Sequence, residues 1–277
     1  MKRSIELSGK SLSTLTNYAR CLATMTLYFK CSPLDLDSEQ VLDYLHYLQS
    51  KKKTPSCSYF KHTLYGLRFV YKLYNLEPLL HSLPSLKKVY KLPVVLSVPE
   101  IKRLIAAPKL LKHRMLIALM YGCGLRRSEL MNIRLTHVDL DRKMLHISQG
   151  KGRKDRYVPL GNNLCYAIRK YISVLGPYIW LFNGNGPDGT IQQFSAGGIR
   201  WVISEARKKS GIQKQISSHI LRHTYATHLL EMGTDIMTLK NLLGHIDIKT
   251  TMLYLHICNL DKHKAFSPMD RIYKLKN

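Results

Sequence analysis

Three short stretches of the chain hold residue types suited to handling a phosphate. In YGCGLRRSEL, residues 121–130, Gly122 and Gly124 interrupt an apolar helix just before Arg126, and Glu129 follows three residues later. Such a stretch can be a plain helix break with surface arginines. It can also turn Arg126 into a cleft with Glu129 holding it there, and an arginine's planar fork matches phosphate geometry. In His219-Ile220-Leu221-Arg222-His223, the i, i+3 spacing puts His219 and Arg222 on one helical face. His223 lies near that face, so a metal pair has to be weighed. Zinc proteases with histidines at i and i+4 carry a glutamate beside the first, where Ile220 stands here, and no third ligand follows at a characteristic spacing. Metal is the weaker reading. Further on, His245 directly follows Gly244, and Tyr254 sits within TTMLYLH. Taken singly, such a histidine is more often structural, and a tyrosine among Met and Leu is more often a core residue.

These residues need elements that bring them together. The first ninety residues read as helices: Leu15, Tyr18, Leu22 and Met25 recur at helical spacing, and so do Phe60, Leu64, Leu67, Val70 and Leu73. Asp37 with Gln40 resembles a capping box opening a helix that carries Val41, Leu42, Leu45 and Leu48. Lys51-Lys52-Lys53 and Pro55 break the pattern. From about Leu83 to Leu96 no helical period is sustained, which marks a domain boundary; Ser97, Pro99 and Glu100 then make a helix start. Leu145 and Ile147 alternate with polar neighbours, and Tyr157-Val158-Pro159-Leu160 forms a second short apolar run. Between them lies a glycine-bearing, cation-rich turn, so the spacing predicts a β-hairpin with Lys151 at its tip. The helix carrying His219 is expected to stop at Gly233, and the next to run from Asp235 to Gly244.

In combination and in order, GLRRSEL, the Gly-Lys-Gly hairpin, HILRH, LLGH and TTMLYLH resemble the tyrosine recombinase (phage integrase) family, especially its Xer-like members. The match covers about Ser97 to Asp261; the N-terminal stretch is similar to the family's core-binding domain more loosely. The resemblance implies a mainly α fold. An N-terminal four-helix, SAM-like core-binding domain would occupy residues 1–84 and a linker 85–96. A mixed α catalytic domain with a small antiparallel β-sheet would occupy 97–264, and a tail over 265–277 would dock on a neighbouring protomer. It implies catalytic roles for Arg126, Lys151, His219, Arg222, His245 and the nucleophile Tyr254, with no cofactor and no metal. Ser218 stands where a proline is common, and Arg127 fills a variable slot; neither touches those six.

The implied chemistry needs these residue types. A free tyrosine has a pKa of about 10, so its hydroxyl needs help to lose a proton at neutral pH. Two arginines on the non-bridging oxygens would stabilise a phosphorane, the part Mg²⁺ plays elsewhere. Lys151 could protonate the leaving 5′ oxygen, His219 could exchange a proton with the tyrosine, and His245 could donate to the phosphate. The resemblance implies a 3′-phosphotyrosine, a free 5′ hydroxyl and strand exchange through a Holliday junction, without ATP. Two other readings share the features: a DNA-binding or architectural protein that does not cut, and a type IB topoisomerase that relaxes DNA without exchanging partners.

The composition agrees with a polyanionic partner. Lys and Arg total 43 against 18 Asp and Glu, a formal net charge of +25, whereas solubility needs a net charge of only about 2–8 for a small domain. Nucleic acid is the first candidate. The partners expected are double-stranded DNA with paired inverted-repeat sites and further copies of the chain or a related recombinase, a dimer per site and a tetramer in synapsis. No apolar run approaches the roughly 20 residues of a membrane span, and the N-terminus lacks the apolar stretch of a signal peptide. Six scattered cysteines without a CxxC pair fit isolated thiols in a reducing cytoplasm.

Overall fold

The computed structural model describes residues 2–7, 9, 12–50, 57–86, 93–148, 155–186, 188–256 and 258. Lys51–Lys53, the hairpin tip with Lys151, and the 265–277 tail lie outside the described residues. The chain forms two compact units, Met1–Val89 and Tyr90–Asn277.

The first unit is helical: α1 Lys2–Leu7, α2 Leu12–Phe29, α3 Ser38–Ser50, α4 Cys57–Leu73 and α5 Glu77–Ser82. Three of these are long, and their inward positions, Met25, Val41, Tyr44, Leu45, Leu64, Leu67 and Tyr71, make one core. The helical spacing of apolar residues along each helix is what gives it a single buried stripe. At the start of α3 the Asp37 carboxylate accepts from the Gln40 backbone at 2.8 Å, and the Gln40 side chain accepts from the Asp37 backbone at 3.1 Å. This is the reciprocal cap that the sequence predicts.

The second unit starts with α6, Val98–Ala106, which opens on a capping box between Ser97 and Glu100. Next comes α7, Leu111–Gly122, whose Met115, Leu116, Ile117, Leu119 and Met120 are all buried. A helix apolar on so many sides belongs in the middle of a domain, and α7 packs on α6, on α9 (Asn162–Leu175) and on α11 (Ser218–Glu231). After α8, Arg127–Met131, a 3₁₀ turn Leu135–His137 leads into three antiparallel strands: β1 Val138–Asp139, β2 Met144–Ile147 and β3 Arg156–Pro159. In register, Leu145 faces Val158 and Ile147 faces Arg156. Leu145, Ile147 and Val158 are buried, as period-two alternation requires.

A second antiparallel pair, β4 Asn183–Asn185 with β5 Ile191–Gln193, was not expected: the sequence reads as having one sheet. Its strands are three residues long and mostly polar, so they carry no alternation to read. The remaining helices are α10 Ala196–Ser210, α12 Ile236–Leu243 and α13 Lys249–Met252, and a 3₁₀ turn Leu253–His256 follows. Asp235 caps α12 through the Met237 and Thr238 backbone, and Gly244 ends it in the left-handed conformation at φ 62°. Leu239, Leu243, Tyr225, Ala226, Leu230 and Tyr254 form a separate small core. No helix among the described residues is long and apolar enough to cross a membrane.

Candidate active site

Arg126 stands at the turn between α7 and α8. Gly124 has φ 59°, a conformation that favours glycine, and a Cβ there would lie 2.3 Å from the Tyr225 ring. The chain therefore reverses tightly, and Arg126 becomes the residue before the first turn of α8. The Glu129 carboxylate accepts from the Arg126 backbone at 2.8 Å and from its guanidinium at 2.6 Å. Arg126 also donates to the Gly244 carbonyl at 3.3 Å. Of the two readings of this stretch, the structure has the cleft-facing arginine with Glu129 holding it.

α11 brings His219, Arg222 and His223 to the same place. Arg222 is buried at 5% exposure, and it donates to the Gly124 carbonyl at 2.7 Å and to the Leu243 carbonyl. The glycine turns at the ends of α7 and α12 thus offer backbone oxygens that aim both arginines. Burial first, then the Arg126 charge, lowers Arg222 to about 10 against the pull of Glu129, so it stays a cation at neutral pH. His219 is held below the ordinary histidine value by burial and by Arg222, Arg127 and Arg126.

His245, just after the Gly244 stop, has Nδ1 3.0 Å from the Thr251 hydroxyl. Its ring lies parallel to that of Tyr254 with centroids 6.4 Å apart. Tyr254, in the 3₁₀ turn packed against α11, is 2% exposed, and its hydroxyl lies 2.9 Å from Nδ1 of His223. Burial raises its pKa, and the charges of Arg222 and Arg126 oppose the rise. Arg126, His219, Arg222, His223, His245 and Tyr254 all border one cleft of about 320 Å³. Five of the six residues singled out in the sequence therefore meet there; the sixth, Lys151, lies outside the described residues. A larger hollow of about 730 Å³ adjoins it at Arg126 and His219 and carries Arg127 and Arg200.

Two residues of the site were missed in the sequence. Arg156 gives Glu129 a two-pronged ion pair at 2.9 and 2.8 Å and donates to the Leu242 carbonyl at 2.8 Å. It had a signal: period-two alternation puts it on the same face of β3 as buried Val158, and a cation on a buried face demands a buried acid. His223 was weighed only as a metal ligand, whereas its described partner is the tyrosine. Among the described residues no group of three His, Cys, Asp or Glu is arranged to hold a metal ion. Three guanidinium groups share one carboxylate, Arg222 reaching Glu129 at 3.7 Å. Burial raises Glu129, but the hydrogen bonds and charges of Arg156 and Arg126 hold it at about 2. The cleft keeps a surplus of positive charge, the electrostatic setting for a phosphate that gains charge as it reacts.

Residues 95–259 match the Phage integrase family, and residues 1–79 match the N-terminal SAM-like domain of phage integrases. The chain belongs to the phage integrase family. It is a tyrosine-type site-specific recombinase of the Xer kind. The tyrosine recombinase XerA of Thermococcus kodakarensis is 30% identical over 273 residues, spanning 98% of this chain and 94% of that relative. A crystal structure of XerA recombinase is 26% identical with a TM-score of 0.56, covering 99% of this chain and 96% of the other. A lambda integrase tetramer bound to a Holliday junction shares the fold at a TM-score of 0.71 and 18% identity, over 88% of this recombinase and 72% of that chain.

Proposed function

We propose that the recombinase cuts duplex DNA by attack of the Tyr254 hydroxyl on a backbone phosphate, leaving a 3′-phosphotyrosine and a free 5′ hydroxyl. The observation that carries this reading is the meeting of Arg126, Arg222 and the Tyr254 hydroxyl around one cleft. The two guanidinium groups would hold the non-bridging oxygens and stabilise the phosphorane, each contributing on the order of 10²–10³ in rate by analogy with oxyanion donors. His219 and His245 border the same cleft and are proposed to exchange a proton with the tyrosine and to donate to the phosphate, and Lys151 is proposed as the acid for the leaving 5′ oxygen. Because arginines supply the positive charge that a divalent cation supplies in other phosphoryl transfers, cleavage is read as needing neither metal nor ATP.

The bond energy kept in the phosphotyrosine allows rejoining to a partner strand, so exchange would pass through a Holliday junction. The partners proposed are duplex DNA carrying paired inverted repeats and other protomers, a dimer per site and a tetramer in synapsis. The basic helical unit at residues 1–84 and the catalytic domain at 97–264 would both grip the duplex, with 85–96 as linker, and the 265–277 tail would couple neighbours.

Covalent capture tests this. Randomised nicked duplexes, from which the short fragment bearing the new 5′ hydroxyl can escape, are mixed with the recombinase, and SDS-resistant adducts are recovered. The expected result is an adduct on a recurrent sequence that disappears in Tyr254→Phe. An adduct that persists in Tyr254→Phe, or DNA binding without any adduct, would overturn the reading.

A further inference from the structure

Among the described residues, His219, His223 and His245 border the cleft, and the family resemblance gives proton exchange with the tyrosine to His219. The geometry points to a different one. His219 and His223 lie one turn apart on α11, and His223 is the one whose Nδ1 is 2.9 Å from the Tyr254 hydroxyl. The two rings are tilted at 53° with centroids 5.5 Å apart. When Nε2 carries the His223 proton, Nδ1 has a free lone pair and the tyrosine hydroxyl donates to it.

The surroundings suit a proton acceptor. Tyr254 is buried and keeps its proton at rest, so attack requires a base at that oxygen. His223 is kept below the ordinary histidine value by burial first and then by His219 and Arg222, so it is neutral at pH 7 and able to accept. The titratable and charged groups bordering the same cleft are His219 and Arg222 from α11, Arg126 ahead of α8, His245 and Asp247 after α12, and Tyr254 itself. The cationic side chains among them favour departure of a proton from the tyrosine oxygen.

We propose that His223 is a catalytic residue of strand cleavage, holding the Tyr254 hydroxyl at rest and taking its proton through Nδ1 as the oxygen attacks phosphorus. The proposal rests on the covalent reaction described above. In the step, the tyrosine O–H bond breaks and its proton passes to His223 while the tyrosine O–P bond forms. The P–O5′ bond breaks, and the leaving oxygen takes a proton from the general acid of that reaction. Rejoining runs the same transfers backward, with His223 returning the proton to the tyrosine.

The test uses the full chain and a nicked duplex recovered by covalent capture, with single-turnover cleavage measured against pH. His223→Asn keeps an acceptor atom close to the Nδ1 position but cannot take a proton; His223→Ala removes both. Each variant is first matched to wild type in thermal unfolding and in gel-shift affinity for the duplex. Both are expected to slow cleavage at neutral pH by about 10²-fold or more, the usual range for general-base catalysis. Their rates should go on rising with pH where the wild-type rate levels off. A 5′-bridging phosphorothiolate, whose leaving group needs no acid, should leave both defects in place. Cleavage by His223→Asn at the wild-type rate and profile would overturn the proposal alone, as would transfer of the pH-dependent limb to His219→Asn. Absence of any adduct from the wild-type enzyme would overturn the covalent reaction and this proposal with it.

Discussion

Glu129 meets Arg156 with both oxygens, at 2.9 and 2.8 Å, while the same carboxylate holds the Arg126 guanidinium at 2.6 Å. One acid thus connects the turn before α8 to strand β3. Through the bond from Arg156 to the Leu242 carbonyl, it also connects both to the end of α12, just ahead of His245. Removing its charge should release all three. Glu129→Gln leaves buried Arg222 and partly buried Arg126 and Arg156 short of a counter-ion, and breaking a buried pair on one side costs about 3–5 kcal/mol. The pKa of Glu129 is depressed from 4.5 to about 2. Its contribution is therefore complete above pH 4.5 and is lost as pH falls through 2. Urea unfolding of wild type and Glu129→Gln should show a gap at neutral pH that narrows below pH 4.5. A gap that stays constant down to pH 3 would refute this account.

Arg156→Lys separates charge from geometry. Lysine keeps the cation but loses the fork that spans both Glu129 oxygens and the bond to Leu242. Duplex affinity at fixed salt should hardly change, because the number of positive charges is the same. Cleavage should slow by roughly 10–100-fold as Arg126 and the His245 segment lose their alignment, since small misplacements of reacting groups have effects of that size. A lowered melting temperature with an unchanged cleavage rate would make Arg156 merely structural.

Two left-handed glycines at the site should respond unequally to alanine. At Gly124 the new Cβ would meet the Tyr225 ring at 2.3 Å, and that ring is held in the small core beneath the cleft. At Gly244 it would meet the Arg156 side chain at 3.1 Å, a milder contact that a shift of a few tenths of an ångström relieves. Both substitutions carry the left-handed penalty of about 1–2 kcal/mol. Gly124→Ala adds overpacking of another 1–3 kcal/mol or so. Chemical denaturation should rank Gly124→Ala as clearly the more destabilised, and equal losses would contradict the described packing.

Much of the fold and of the site was readable in the chain because both are built from local signals. The Asp37/Gln40 and Ser97/Glu100 boxes, the Gly244 stop and the β2–β3 pairing each depend on residues within about a dozen positions of one another. Arg126 and Glu129 are three apart, and His219 and Arg222 share a helix face. Contacts between elements farther apart in the chain were not readable. Alternation along β3 says that Arg156 needs an acid, but that acid lies 27 residues away on another element. His223 and Tyr254 are 31 residues apart, and their meeting depends on how the last 3₁₀ turn packs on α11. The β4–β5 pair escaped notice because Asn-Gly-Asn and Ile-Gln-Gln have no apolar face to alternate.

The two cleft arginines should fail in different ways when truncated. Both are proposed to stabilise the phosphorane, so Arg126→Ala and Arg222→Ala should each slow single-turnover cleavage by at least 10²-fold. Their structural roles differ. The Arg126 side chain is 18% exposed and is tied mainly to Glu129 beside it in sequence, whereas that of Arg222 is 6% exposed. Arg222 also satisfies the buried carbonyls of Gly124, after α7, and Leu243, at the end of α12. Its loss strands both oxygens, at about 1–3 kcal/mol each. Arg222→Ala should therefore lose both folding stability and cleavage, while Arg126→Ala should lose cleavage with a much smaller shift in the urea midpoint. Equal destabilisation by the two variants would mean that Arg222 does not join the two glycine-ended helices in the way its hydrogen bonds imply.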